Sequence, residues 1–323
     1  MNKDQVTYLV FGGVLLLALI FDLGLLSKKD HKVTIKQALY QTFFWVGLAL
    51  GFGVFVWIEK GQTTSLEYIS AYLMEWSLSI DNIFVFILIF TSFGVKEKHY
   101  GRVLLVGILM AILFRIGFIT IGVALVDKFY WVLYIFGAFL VYTGYKMFVA
   151  DDEGEKDPHD MWVYRQIKRV LPLAPHDGDG KYVIKENGKR KYTILFVVVI
   201  MLAAIDLVFA LDSIPAVMGI SRDKLVIYTS NIFAVLGLRS LFFLLRGAVS
   251  KFDYLQQGIA IVLVFIGVKM LGEHWINQWG IPKTTQVFIS LGVILVCISG
   301  SIFYSIFMTK KGVPTDENDK SIY

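Results

Sequence analysis

Nine stretches of this chain are long and apolar enough to cross a bilayer, and they constrain its fold more than any other feature. They run over about 6–26, 37–58, 67–94, 103–125, 129–149, 193–218, 225–245, 254–272 and 284–307. A spanning helix needs about 20 mainly apolar residues, because every backbone polar group must be satisfied inside the segment itself. With 56% hydrophobic and only 18% charged residues over 323 positions, the chain has more apolar surface than a soluble domain can bury. The expected fold is therefore an all-α polytopic membrane protein of nine spans. The first stretch follows a single Lys and lacks a small-residue cleavage site, so it reads as a retained span and not as a signal peptide.

Charge sets the orientation. With nine spans, the loops near 27–36, 95–102, 150–192 and 246–253 share one side with the C-terminal tail and hold 21 Lys and Arg; the opposite side holds six. The positive-inside rule puts the C-terminus in the cytoplasm and the N-terminus outside. Trp57, Trp131, Trp275 and Trp279 fall near the outer boundaries, as interfacial anchors do. The formal charge of +5 follows from the cytoplasmic loops and gives no reason to expect a nucleic-acid partner. The one cysteine, Cys297, cannot form an internal disulfide, and no Cys/His cluster suggests zinc.

The chain divides into spans 1–5 (1–150), a cytoplasmic loop (151–192), spans 6–9 (193–308) and a polar tail (309–323). The loop opens on Asp151, Asp152, Glu153 and Glu155, which reads as a solvated acidic linker. A short amphipathic helix over Met161–Leu171 and a hairpin around Asn187-Gly188 are expected after it.

Carboxylates stand inside two of the apolar stretches, in the same arrangement. One reads Glu75-Trp-Ser-Leu-Ser-Ile-Asp81-Asn82-Ile83 and the other Asp206-Leu-Val-Phe-Ala-Leu-Asp212-Ser213-Ile214. An ionised side chain at the centre of a span costs about 2.5–3.5 kcal/mol even on insertion scales, which marks such residues as functional candidates. Further matches follow in order: Arg115 with Arg239, and Gly144-Tyr-Lys146-Met147 with Gly267-Val-Lys269-Met270. Spans 3–5 (about 67–149) thus resemble spans 6–8 (about 193–272). With three spans per unit, the second copy enters from the opposite face, an inverted repeat of the kind that places substrate sites near the midplane. Asp22 lies outside the repeat, near the inner end of span 1.

Glu75, Asp81, Asn82, Asp206, Asp212 and Ser213 form a carboxylate, amide and hydroxyl set without His or Cys. Such ligands suit hard divalent ions (Mn²⁺, Mg²⁺ or Ca²⁺) over Zn²⁺ or Cu⁺. Antiparallel packing of spans 3 and 6 is expected to pair Glu75 with Asp212 and Asp81 with Asp206, in one oxygen-lined track. Pro215 is expected to bend or open span 6 and free carbonyl oxygens there. Arg115, Lys146, Arg239 and Lys269 match the four acids in number and are expected as their charge partners. A divalent ion entering a neutral interior requires that positive charge leave, which suggests metal/proton exchange.

These two motifs, with Pro215 after the second, resemble the TerC family of integral membrane proteins over about residues 5–308. The long basic loop and the chain length look like the family's Alx branch. The resemblance implies Mn²⁺ export across the bacterial inner membrane, with the family's intramembrane acids falling on Glu75, Asp81, Asp206 and Asp212. Mn²⁺ would be the transported substrate, with no cofactor. Two other functions fit less well. A LysE-like small-solute exporter would need an anion site that four acids do not supply. A membrane scaffold or assembly factor would act through its loop and would not need the acid track. An enzyme is not expected, since no nucleophile–base pair, phosphate loop or cofactor motif occurs.

Overall fold

A computed structural model describes residues 3–26, 33–149, 158–186, 188–246 and 254–310. The acidic opening of the loop, Asn187 of the turn and the tail beyond 310 lie outside it, as do the side chains of Asp22 and Asp81. The helices are α1 Lys3–Leu26, α2 Ile35–Lys60, α3 Gln62–Ser92, α4 Glu97–Lys128, α5 Val132–Val149, α6 Trp162–Val170, α7 Ile194–Ile220, α8 Lys224–Leu245, α9 Leu255–Leu271, α10 Glu273–Gln278 and α11 Lys283–Lys310. Among the described residues, α2, α3, α4, α5, α7, α8 and α11 are the seven helices long and apolar enough to cross a membrane. Shorter apolar segments occupy Gln5–Ile20 of α1 and Gln256–Leu271 of α9. The fold is an all-α polytopic membrane bundle.

Local sequence explains where several elements start and stop. Thr34 caps α2 in a reciprocal box: its Oγ1 accepts from Gln37 N at 3.3 Å, and Gln37 Oε1 accepts from Thr34 N at 3.0 Å. Gly61, at φ +90°, ends α2 and admits α3 directly behind it. The expected opening at Pro215 does not occur, because α7 is helical from Ile194 to Ile220. A proline removes only one intrahelical donor, and Ile214, Ala216 and Val217 around it are buried and hold the turns in place.

α8 is the central helix, buried along nearly its whole length. It packs on α2, α3 and α4, while α4 lies on α7 and α5 on α9. Exchanging α3–α5 with α7–α9 turns the α3–α8 contact into the α7–α4 contact and returns α5–α9 to itself. The detail at α5–α9 obeys the same exchange. A Cβ on Gly144 would meet Ala260 O at 2.7 Å and Val264 N at 3.0 Å, and one on Gly267 would meet Gly137 O at 2.6 Å and Val141 N at 2.9 Å. The two helices are antiparallel and touch backbone to backbone, as small residues permit in membranes. Gly267→Val should force them apart and cost about 1–3 kcal/mol by overpacking. The check is a lower thermal midpoint in detergent, with Gly292→Val, where no atom lies within 4 Å of the added carbon, as the neutral control.

The loop carries α6 and an antiparallel hairpin of β1 Val183–Glu186 and β2 Lys189–Tyr192. The segment before the hairpin docks on the start of α4. Lys96 pairs with Asp177 at 2.7 Å, Arg102 donates to Gly180 O, and buried His99 lies 3.7 Å from Asp177. The hydrogen bond from Lys96 is the main cause holding the Asp177 carboxyl below its ordinary value of 3.8. A carboxyl lowered by folding stabilises above its unfolded value and loses that contribution as pH falls through the folded one. Amides of 174–182 should therefore stay protected from hydrogen exchange at neutral pH and lose protection below about pH 3.8.

Candidate metal-transport site

Glu75 and Asp206 are buried in the bundle at 0% and 1% exposure, and one guanidinium joins them. Arg115 Nη1 donates to Glu75 Oε2 at 2.8 Å. Its Nε and Nη2 donate to Asp206 Oδ2 and Oδ1 at 2.7 and 3.0 Å, a bidentate pair. Asn231 completes the cluster: its Nδ2 donates to Glu75 Oε1 at 2.7 Å, and its Oδ1 accepts from Arg115 Nη1 at 2.6 Å. Four helices supply one residue each: α3, α4, α7 and α8.

This arrangement corrects the expected pairing. Glu75 is joined through Arg115 to Asp206, the residue at the same place in the other motif, and not to Asp212. Six residues further along a continuous helix a side chain is turned by about 120°, so Asp212 leaves the cluster and accepts from Thr143 Oγ1 of α5 at 3.2 Å. The expected track through all four acids includes Asp81, whose side chain lies outside the described residues; of the other three, Glu75 and Asp206 share Arg115 and Asp212 stands apart. Asn82 and Ser213 are both buried, and the Ser213 hydroxyl has no hydrogen-bond partner among the described residues. Among those residues, no group of three or more His, Cys, Asp or Glu side chains gathers as a metal cage.

Among the described side chains, Arg115 is the one of the four expected bases joined to Glu75 and Asp206. Lys146 is exposed. Lys269 donates to Ser290 of α11 at 3.0 Å. Arg239 is buried against Gly101 of α4. In the exchanged geometry the counterpart of Arg115 is Asn231, since Arg115 holds Asp206 as Asn231 holds Glu75. Among the described side chains, the cluster holds two carboxylates and one base.

Sequence reasoning passed over three polar groups. Asn231 was visible as an amide inside an apolar span. Thr143 had no distinguishing signal. Glu67 stands eight residues before Glu75, hence on nearly the same helical face. It is 2% exposed, bonded by Ser221 Oγ and 2.7 Å from the Lys283 ammonium. Its place at the predicted end of span 3 made it look interfacial.

Residues 60–313 match the model of the integral membrane protein TerC family. The chain is 40% identical to an uncharacterised membrane protein of Myxococcus xanthus, over 93% of this chain and 92% of that one. It is 38% identical to an uncharacterised membrane protein of Rickettsia bellii, over 92% and 97%. It is also 37% identical to a protein of Escherichia coli K12 named putative membrane-bound redox modulator Alx, over 90% and 93%. No solved structure matches it. With the family's match spanning most of its helices, the chain belongs to the TerC family of integral membrane proteins.

Proposed function

We propose that this chain exports a hard divalent cation, Mn²⁺ before others, across the bacterial inner membrane, with its C-terminus in the cytoplasm. The observation that carries the reading is the buried pair of carboxylates held by a single guanidinium. A static scaffold gains little from such a cluster, because the desolvation of buried ions offsets most of their attraction. Among the described side chains, two acids against one base leave a negative excess that favours an arriving cation. The carboxylates of Glu75 and Asp206, the Asn231 carbonyl and the buried Ser213 hydroxyl are all oxygen ligands suited to Mn²⁺.

In this reading Arg115 is the resident counter-ion. A divalent ion brings two positive charges to a cluster with one negative charge in excess. One positive charge must leave, either by movement of the guanidinium or as a proton from a neighbouring carboxyl such as Asp212. The chain contains no nucleotide-binding motif, so proton exchange is the proposed driving step. The name of the Escherichia coli relative suggests redox modulation instead. A chain with Cys297 as its one cysteine cannot cycle an internal disulfide, so that effect would follow from metal supply.

Proteoliposomes holding the purified chain test the exchange. An outward-directed Mn²⁺ gradient should drive proton counterflow, read by an internal pH dye, and Asp212→Asn should reduce both fluxes at least about tenfold, the size of one lost charge contact at an intramembrane site. Mn²⁺ flux without proton movement would remove the coupling from the account.

A further inference from the structure

A second polar site lies at the end of the bundle where α7 meets α8 and α9 meets α11. There a cavity of about 340 Å³ is lined by Ser221, Arg222, Lys269, Glu273, Lys283 and Gln286. It adjoins a groove of about 490 Å³ between α9 and α11, lined by Phe265, Val268, Trp275, Trp279 and Ile289. Lys269, Gln286, Ile276 and Ile281 line both spaces, so the polar cavity and the apolar groove meet at the Lys269 side chain.

The charges at this junction do not balance. Glu273 is bonded by Arg222, and Glu67, behind Ser221, is paired with Lys283. Lys269 lines the same cavity as Glu273, but among the described residues both carboxylates are already held by other bases. Its own hydrogen bond goes to the neutral Ser290 hydroxyl at 3.0 Å, and that hydroxyl is committed as a donor to Gln286 O at 2.9 Å. An ammonium has three donors. Three bases thus face two acids at the head of an apolar groove. Trp275 and Trp279 at its rim are exposed, as aromatic residues at a headgroup level are.

We propose that this groove binds an anionic phospholipid, with its phosphate on the Lys269 ammonium and an acyl chain along Phe265, Val268 and Ile289. Basic pockets between spans hold anionic headgroups at the cytoplasmic side of membrane proteins, and the same charge chemistry acts at this end of the bundle, the outer one in the proposed orientation. A free anion would satisfy the ammonium but leave the groove empty, and a zwitterionic lipid would leave the excess positive charge. The site is separate from the carboxylate cluster, and its occupancy does not depend on the cargo.

The test uses the purified full-length chain in detergent, given phosphatidylglycerol, phosphatidylethanolamine or inorganic phosphate, with adducts read by native mass spectrometry. The wild type should retain phosphatidylglycerol about fivefold better than phosphatidylethanolamine, the ratio one basic contact provides. Lys269→Gln should remove that preference and Lys269→Arg should keep it. Val268→Trp fills the groove from its exposed rim and should release both lipids with Lys269 intact, which decides the matter even if Lys269→Gln does not fold. Equal retention of the two lipids by the wild type, or phosphatidylglycerol binding unchanged by Val268→Trp, would overturn the proposal. Inorganic phosphate displacing phosphatidylglycerol from the wild type would assign the site to a free anion instead.

Discussion

Arg115→Gln should be the most destabilising single substitution in the bundle. It removes the cation that bridges Glu75 and Asp206 and leaves two buried carboxylates with only the Asn231 amide between them. Breaking a buried ion pair from one side costs about 3–5 kcal/mol, a large share of the stability of any domain. The variant should reach the membrane in low yield and melt far below the wild type in detergent. Arg115→Lys should recover only part of the loss, since an ammonium cannot reproduce the bidentate fork to Asp206. The double variant Arg115→Gln/Asp206→Asn removes one acid with the base and should be more stable than Arg115→Gln alone. If Arg115→Gln melted with the wild type, the guanidinium would not be holding the cluster together.

Glu75→Gln is expected to separate folding from transport. The amide keeps the length of the side chain and can still accept from Arg115, losing only the bond from Asn231 Nδ2, while Asp206 retains its bidentate pair. The cluster then holds one acid and one base, with no negative excess to attract a cation. Melting should fall far less than for Arg115→Gln, by about the 1–3 kcal/mol of one lost buried hydrogen bond, and Mn²⁺ flux should fall by about two orders of magnitude, the effect of losing a charged contact worth about 3 kcal/mol. Asp206→Asn should lose transport as well but should cost more stability, because two of the three Arg115 contacts to acids go to Asp206. That asymmetry makes Glu75→Gln the more informative variant.

Much of this was legible in the chain because the bilayer restricts what an apolar segment can become. Runs of about 20 apolar residues announced the membrane helices. Acids at matched places in two of them announced the buried site, and Glu75, Asp206 and Arg115 were all among the candidates. Which of these groups would meet was not legible. Which acid meets which depends on where α3 and α7 cross, and sequence spacing along one helix carries no information on the register of another. Pro215 suggested an opened helix, but burial of its neighbours keeps α7 closed. Lys146 and Lys269 resembled each other in sequence, yet one is exposed and the other turns to α11. Glu67 was hidden by its position at a boundary, where an acid has an ordinary explanation.

The central claim is that the Glu75–Arg115–Asp206 cluster passes Mn²⁺ out of the cell. Total cellular manganese under Mn²⁺ challenge tests it most directly, in cells carrying the wild type, Glu75→Gln or empty vector, with membrane levels of both proteins matched. The account predicts low manganese with the wild type alone and vector-like manganese with Glu75→Gln. Manganese lowered equally by the wild type and Glu75→Gln would contradict a role for the cluster, and wild-type cells matching the vector would contradict manganese as the cargo.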